Sequence, residues 1–515
     1  MRFVYDVETY PNVFTFTAVA VEGELFFQFA ISDYDDDRRE LFAFLKFLVE
    51  NDAEMVGFNN INFDYVLIHQ FILSGGALTA GQLYNLAMVL IKGTREQKWK
   101  FSVWPSDSFI KQIDLFTIHH FNNKSRATSL KKLEFNMRSQ SIEDLPFEVG
   151  TRLNYNQQCV LFNYNKTDCL ETLKFYHESK EKLKLREELT TEYGRDMMSY
   201  SDVKIGTTIF ELELKAANIP CYYYENNERR PIQTRRKSIA LGECLLPYLN
   251  LKDTPFEGIH EFFKNKIIKN TKGEINDLTL TVGDTHYKFG TGGIHGSVLS
   301  SVWNRDDVFE IVDIDVKSYY PRLAITNGLY PEHLGPRFVD VYTGLYNRRA
   351  MYAKGTGFNE AIKLALNGAY GQSNAEHSFF HDPKFLLQIT LNGQLLLCML
   401  ISWIIEQEPN ATILQANTDG ITVHIRSDRR HVIEECVERW CDMTKLVMEY
   451  AHYQEMYIRD VNSYLGIFTN GEIKAKGAYV TNPEWHQDHS ALVIPKAAQQ
   501  ILRYGGKIDE TVMNW

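Results

Sequence analysis

The sequence lacks the cysteine patterns that would announce a metal knuckle or a secreted, cross-linked fold. Its seven cysteines are scattered over 515 residues with no C-x-x-C pair. The closest two, Cys436 and Cys441, suit neither a zinc site nor a disulfide framework, and all seven read as reduced structural thiols. No signal-like leader is read either, because MRFVYDVETY puts acids where an apolar run would be needed, so a cytoplasmic protein is expected. No apolar run is read as long enough to span a bilayer. Excess positive charge is also missing: the net charge is −11, which alone argues against a phosphate-backbone partner. Repeats and low-complexity linkers are absent, so packed domains are expected.

What is present is a chain 44% hydrophobic and 13% aromatic, ample for a large core and for about three domains. Positive charge is concentrated in Arg229-Arg230, Arg235-Arg236-Lys237 and the run Lys264, Lys266, Lys269, Lys272. Each patch alone reads as a solvated face. An acidic total also fits a protein that gathers carboxylates around divalent cations. Strand-like runs at 3–7, 13–21 and 25–30, a helical stretch at 38–51, a strand-like MVGFNN and an apolar helix at 63–73 predict a mixed α/β layer. Helical pattern returns at 157–185, and a boundary is placed near 190. Helix is expected again at 205–217, followed by a basic, loop-rich segment to about 290, then a strand at 308–316. The stretch from 339 to 370 reads as two helices broken at Lys354-Gly355-Thr356-Gly357. A long apolar helix is expected at 386–406.

The acids fall into two sets. In YDVETY, Asp6 and Glu8 are two apart on a strand, so both point to one face, and such a pair favours a cation between its members. NNINFDYV places Asn60 four residues before Asp64. YNKTDC places Tyr164 four before Asp168 on one helix face, where the tyrosine can orient a water beside the carboxylate. The second set begins with DIDVKSYYP, in which Asp313 and Asp315 end an apolar strand and a turn follows with free backbone N–H groups. In KLALNGAYG, Lys363, Asn367 and Tyr370 form one helical stripe, an odd choice for core packing but suited to a phosphate, a sugar and a base. LQANTDGITV presents Asp419 at the tip of a hairpin. Asp315 and Asp419, on neighbouring strands, are expected to reach a shared pair of ions ~3.5–4 Å apart.

In this order, Asp6, Glu8, Asp64, Asp168 and Tyr164 resemble the DEDD-type 3′→5′ exonucleases of the subclass that uses tyrosine. DVKSYYP, KLALNGAYG and NTDG resemble motifs A, B and C of family B DNA polymerases. KAKGAY resembles the basic motif that follows on the palm, and FGTGGIHGS the glycine-bearing link between the two sites. The resemblance runs over nearly the whole chain. It implies an α/β and α+β multidomain protein: an RNase H-like exonuclease domain at 1–190, palm at 191–325 with the link near 286–300, fingers at 326–372, a second palm segment at 373–480, and the start of a thumb at 481–515.

The activity implied is template-directed, primer-dependent synthesis from dNTPs with proofreading, by two Mg²⁺ ions per active site, for which Mn²⁺ could substitute. The implied metal set is Asp6, Glu8, Asp64, Asp168, Asp315, Val316 and Asp419. Asn60 and Thr9 would hold a 3′ end and Tyr164 would place the attacking water. Ser318, Tyr319, Tyr320, Lys363, Asn367 and Tyr370 would take the dNTP, with Arg348 or Arg349 as a second cation. Tyr320 would exclude a 2′-OH by a clash. Gly292, Gly293, Lys474, Lys476 and Tyr479 would hold primer-template, a sequence-independent task. The compact chain implies a phage or mobile-element replicative enzyme, located in the host cytoplasm if viral.

Three departures carry expectations. The family usually has an acid where Asn417 stands and often a serine where Gly420 stands, so Asp419 is expected to act without help from 417. The intervals around KLALNGAYG are short, leaving no room for a terminal-protein dock, so a nucleic-acid primer is expected and no terminal protein. Little chain follows KGAY, so the thumb is expected to be minimal, truncated or supplied by a second polypeptide. The alternatives are a 3′→5′ exonuclease, or a replisome subunit whose polymerase activity is weak or lost through Asn417 and the short thumb. A primase-polymerase of another fold class has no counterpart motifs here.

Overall fold

The computed structural model describes residues 1–140 and 142–513. The chain forms two compact units, one comprising Met1–Ile205 with Pro483–Ser490, the other Gly206–Asn482 with the residues from Ala491 onward.

The first unit is built on five strands: β1 (Arg2–Tyr10), β2 (Val13–Ala20), β3 (Phe26–Ser32), β4 (Glu54–Gly57) and β5 (Lys111–Asp114). Their order is β3-β2-β1-β4-β5. The first three are antiparallel neighbours, and β4 and β5 run parallel to β1. β2, VFTFTAVA, is buried at every position, as a strand covered on both faces must be. The Arg38–Glu50 helix buries Leu41, Phe44, Leu45 and Leu48, the i, i+3, i+4, i+7 stripe of an amphipathic helix, beside Phe3 and Phe16.

The Tyr155–Glu178 helix starts at a capping box in which Asn154 and Gln157 satisfy each other's backbone N–H groups. The sequence read one helix through this region, but the structure divides it at Ser179, before a second helix, Lys180–Tyr193. The Ser179 hydroxyl donates to the Phe175 carbonyl at 2.7 Å and meets His119 Nε2 at 2.8 Å. A serine bonded back to its own helix loosens that turn.

In the second unit the segment expected to be loop-rich carries short strands instead: β6 (Tyr222–Glu225), β7 (Glu228–Pro231), β8 (Ile239–Ala240), β9 (Ile267–Ile268), β10 (Leu278–Val282) and β11 (Thr285–Phe289). After them come β12 (His295–Ser297), β13 (Ser301–Asn304), β14 (Phe309–Val316), β15 (Thr412–Asn417), β16 (Gly420–Arg426), β17 (Met448–Asp460), β18 (Ser463–Phe468) and β19 (Ile473–Ala475). The main sheet runs β10-β11-β12-β15-β16-β14-β17-β18-β19, with β13 also paired to β17. β14, the strand of the two aspartates, is central, flanked by β16 and β17.

The Pro383–Gln407 helix corrects the reading that no apolar run is long enough for a bilayer. By length and composition it is, and its most apolar window is 89% buried within the protein. It is the core helix of this unit, and the Trp440 indole N–H closes on its Leu396 carbonyl at 2.8 Å. The Arg337–Ala350 and Gly357–Gly371 helices are separated where the sequence placed the break, with Gly355 at φ +85°.

The β15–β16 hairpin pairs Asn417 with Gly420, leaving Thr418 and Asp419 as a two-residue tip. Thr418 has φ +59°, a conformation a β-branched residue rarely adopts, and the Asp419 N–H closes back on the Asn417 carbonyl at 2.6 Å, the three-residue bond of a γ-turn. Gly420 lies directly across from Asp315. A Cβ there would come within 1.9 Å of Asp315 Oδ1 and 2.8 Å of the Ile314 carbonyl oxygen. The missing side chain is therefore the space that Asp315 occupies. Gly420→Ala is expected to destabilise the unit by about 1–3 kcal/mol, the usual cost of overpacking, and to displace Asp315. Chemical denaturation measures the first effect; a variant as stable as the parent would show that this contact is not tight.

Candidate functional site

In the first unit β1 supplies Asp6 and Glu8, and the Tyr155–Glu178 helix supplies Asp168. One carboxylate oxygen from each lies within 4.8 Å of the others, and this is the one such group of three or more acidic, histidine or cysteine ligands among the described residues. Asp64 begins the Asp64–Leu73 helix and accepts backbone N–H bonds, one from Val7, between the two β1 acids. Burial and the neighbouring carboxylates hold Asp6 and Glu8 well above the carboxylic range. Burial pushes Asp64 up to about 7 despite its N–H bonds. Asp168 is also raised by burial, opposed by Lys131 and Tyr164.

Two neighbours escaped the sequence reading. Lys131 reaches Asp168 Oδ1 at 2.6 Å and Glu134 at 3.1 Å, and sits 4.7 Å from the Tyr164 ring centre. Asn165 donates to Asp6 Oδ2 at 2.6 Å while its carbonyl oxygen accepts the Thr15 and Thr17 hydroxyls of β2. Its position three residues before Asp168 on the same helix was the available cue; for Lys131 the sequence offered none. Tyr164 and Asp168 are both buried residues of the Tyr155–Glu178 helix, four positions apart. Asn60 is fully buried, its amide donated to Gln112 at 2.8 Å and Tyr5 at 3.4 Å, so it braces β1 and β5 rather than facing solvent. Thr9 alternates away from the Asp6–Glu8 face along β1.

The donor set suits hard divalent ions, which take carboxylate oxygens and relieve the repulsion and burial that raise these acids.

In the second unit Asp315 and Asp419 meet at the hairpin tip. The Val316 N–H donates to the Asp419 carbonyl at 2.8 Å, and Asp315 pairs with Gly420 on one side and Glu449 on the other. Burial, Asp313, Asp419 and Glu449 push Asp315 up to about 6, against the pull of Lys474. Asp419 is open to solvent at the tip, yet the surrounding protein still raises its carboxyl. Asp313 is not free for a ligand: it accepts from Thr422 at 2.6 Å, Tyr453 at 3.2 Å and Lys474 at 3.3 Å. Lys474 thus turns inward beneath the acids, while Lys476 is exposed and Tyr479 is half-buried. The Asn417 amide oxygen is engaged by Thr418 Oγ1 at 3.3 Å and His295 at 3.2 Å.

A cavity of about 500 Å³ lies beside Asp419, lined by Ser318, Tyr319, Tyr320, Arg349, Lys363, Asn367 and Tyr370, all anticipated from sequence. Lys317, Lys354, Asn359 and Glu449 line it too and were not. Lys363, Asn367 and Tyr370 share the face of the Gly357–Gly371 helix that the i, i+4, i+7 spacing implied. Arg349 reaches Ser318 Oγ at 3.3 Å and is held by Asn359, whereas Arg348 is paired with Glu213 at 2.8 Å, which separates the two candidates. Tyr320 stands edge-on to Tyr370 with centroids 5.0 Å apart, its hydroxyl 3.4 Å from the Gly292 carbonyl oxygen. Gly293, at φ +138°, could carry no Cβ without approaching that hydroxyl to 3.0 Å. Tyr319 is buried and donates to the Gly393 carbonyl at 2.6 Å, so it supports the cavity from behind.

No family model matches the chain, and no curated protein does. Among solved structures it is similar to the family B DNA polymerase from the hyperthermophilic archaeon Pyrobaculum calidifontis, at 13% identity and a TM-score of 0.47. The similarity covers 100% of this chain and 64% of that one, so the chain spans less than two thirds of that polymerase's length.

The raised acids set a pH dependence. Asp64 and Asp315 ionise near 7 and 6 in the folded, metal-free protein, against 3.8 when exposed. A raised folded-state value means that the folded state holds its protons more tightly. The associated stability is complete below 3.8 and is lost as pH rises through about 7. Cation binding to the ionised acids reverses that loss. The gain in Tm on adding Mg²⁺ should therefore be larger near pH 7.5 than near pH 5.5 in a calorimeter. An equal or smaller gain at the higher pH would contradict the placement of these acids at a cation site.

Proposed function

We propose that the chain is a primer-dependent DNA polymerase of the family B kind with a 3′→5′ exonuclease in its first unit. The observation that carries this reading is that Asp419, whose neighbour Gly420 lies directly across from Asp315, lines one cavity with Lys317, Arg349, Lys354 and Lys363. Four cations around one space suit a triphosphate, and an aromatic floor of Tyr320 and Tyr370 suits a sugar and base above it. The strand order of the first unit and its Asp6, Glu8, Asp64, Asp168 cluster support the nuclease half.

In extension, the primer 3′-oxygen would form a bond to the α-phosphorus as the bond to the β-phosphate oxygen breaks and pyrophosphate departs. Divalent cations held by Asp315 and Asp419 would supply charge neutralisation and a more acidic 3′-hydroxyl. Arg349, oriented by Asn359, and Lys363 would bind the phosphate tail, with Ser318 completing the contact. Tyr320, packed against Tyr370 and Gly292–Gly293, would meet a 2′-hydroxyl sterically, selecting dNTPs. Lys474 would hold Asp313 and tune Asp315 from below, a positioning role rather than contact with the primer-template. Lys476 is the better candidate for a backbone contact because it is exposed.

In degradation, Tyr164 would hold the attacking water against Asp168. Lys131 would stabilise ionised Asp168 and, beside the same tyrosine, the charge that develops there. In this reading Asp419 would act without a second acid in that turn, with the Asn417 amide oxygen occupied by Thr418 and His295.

The test is a labelled primer-template with Mg²⁺, with and without dNTPs. Asp315→Asn should lower extension by ~10²-fold or more, the scale of one preorganised electrostatic contact, and leave degradation intact. Asp6→Ala should do the converse. Shortening in both conditions by the parent, with no extension, would leave only the nuclease.

A further inference from the structure

Two of the basic runs in the sequence, Arg235-Arg236-Lys237 and Lys264 to Lys272, follow one another along the chain, and neither belongs to the sites above. Antiparallel pairing of β8 with β9 sets Ile239 opposite Ile268. The residues that precede β8 and those that follow β9 therefore emerge at the same end, bringing Arg235 and Arg236 beside Lys269 and Lys272. They line a cleft of about 510 Å³ together with Thr271, Asn374 and His381, and Glu376 is the one carboxylate in that lining. Arg236 is committed to Asp382 at 2.9 Å and to Glu332 at 2.5 Å. Arg235, Lys269 and Lys272 are exposed and form no ion pair among the described residues; Arg235 touches only the neutral Gln233 amide, at 3.3 Å. Glu274, the nearest further acid on this loop, is spent on the backbone N–H groups of Lys269 and Asn270, so its charge shapes the loop.

A short chain of bonds ties this cleft to the candidate polymerase site. Thr271 donates to Asn374, three residues beyond the end of the Gly357–Gly371 helix, at 2.6 Å. The Thr271 carbonyl oxygen accepts the Thr291 hydroxyl at 2.9 Å, and the next residue, Gly292, meets Tyr320. The cleft and the sugar-facing wall of the cavity therefore share one support. Asn367 and Tyr370, near the C-terminal end of that helix, line the cavity, and Asn374, just past its end, lines the cleft.

We propose that Arg235, Lys269 and Lys272 bind consecutive phosphates of the single-stranded template ahead of the nascent pair, a proposal that rests on the polymerase reading. Separate, exposed, unpaired cations along an open cleft match a repeating backbone charge better than a single enclosed phosphate, and the contact is independent of base sequence.

The test is fluorescence anisotropy in EDTA, which prevents degradation, with primer-template duplexes carrying a template 5′ overhang of one or of eight nucleotides. The wild type should bind the longer overhang more tightly, and the advantage should shrink with salt. The R235Q/K269Q/K272Q variant, altered only at exposed side chains and checked by its unfolding temperature, should lose that advantage. Its log–log salt slope on the long overhang should be smaller by about 2, at ~0.7 per single-strand phosphate contact. A variant that keeps both the preference and the slope overturns the proposal. Failure of the polymerase reading is seen separately, as absence of wild-type extension on the one-nucleotide overhang.

Discussion

Carboxylates brought close together away from water repel one another, and much of this structure is arranged around that repulsion. In the first unit Asp6, Glu8 and Asp168 crowd within 4.8 Å. In the second, Asp313, Asp315, Asp419 and Glu449 act on one another across three strands. Neither cluster would be selected for stability, since each asks buried acids to remain protonated or to find a cation. Each unit contains an internal ammonium that partly answers the demand: Lys131 on Asp168 and Lys474 on Asp313. Both lysines leave other carboxylates of their cluster unpaired. That residue of uncompensated charge is what a divalent ion would meet.

The surrounding packing makes sense as a means of holding those acids. Asn165 ties Asp6 to two threonines of the buried strand β2. Gly420 removes the one side chain that would collide with Asp315. Thr418 accepts a left-handed backbone at the hairpin tip, where its N–H is fixed by the Ile294 carbonyl at 3.0 Å. Strain of this kind persists when neighbours over-determine a turn, and it is found where the geometry serves a task. Across the cavity, Asn359 holds Arg349, and Gly292 and Gly293 hold Tyr320, so cations and aromatics are placed by their supports.

Much of this was legible in the sequence, because periodicity reports faces. The two-residue spacing of Asp6 and Glu8, the four-residue step from Tyr164 to Asp168, and the stripe of Lys363, Asn367 and Tyr370 each predicted which side chains would stand together. Short-range rules also located the hairpin of Asp419. What stayed hidden depends on strand register and on long-range pairing. Glu449 joins Asp315 only because β17 pairs with β14 in one register, and no local pattern encodes that partner. Lys131 arrives from a seven-residue helix with no motif of its own. Among the short strands between 222 and 289, β8 and β9 are two residues each and too short to carry a pattern, whereas β10 and β11 alternate and their signal was overlooked. The long apolar helix was read as a helix, and its length and composition, both legible in the sequence, already reach what a bilayer needs; what the packed structure adds is that it is enclosed.

The central claim is that these carboxylates are cation sites. Crystals soaked in Mn²⁺ and measured at the manganese absorption edge would locate each ion directly by its anomalous scattering. The account predicts density in contact with Asp315 and Asp419 in the second unit and with Asp6, Glu8 and Asp168 in the first. Manganese bound elsewhere on the protein, with none touching Asp315 or Asp419, would contradict it.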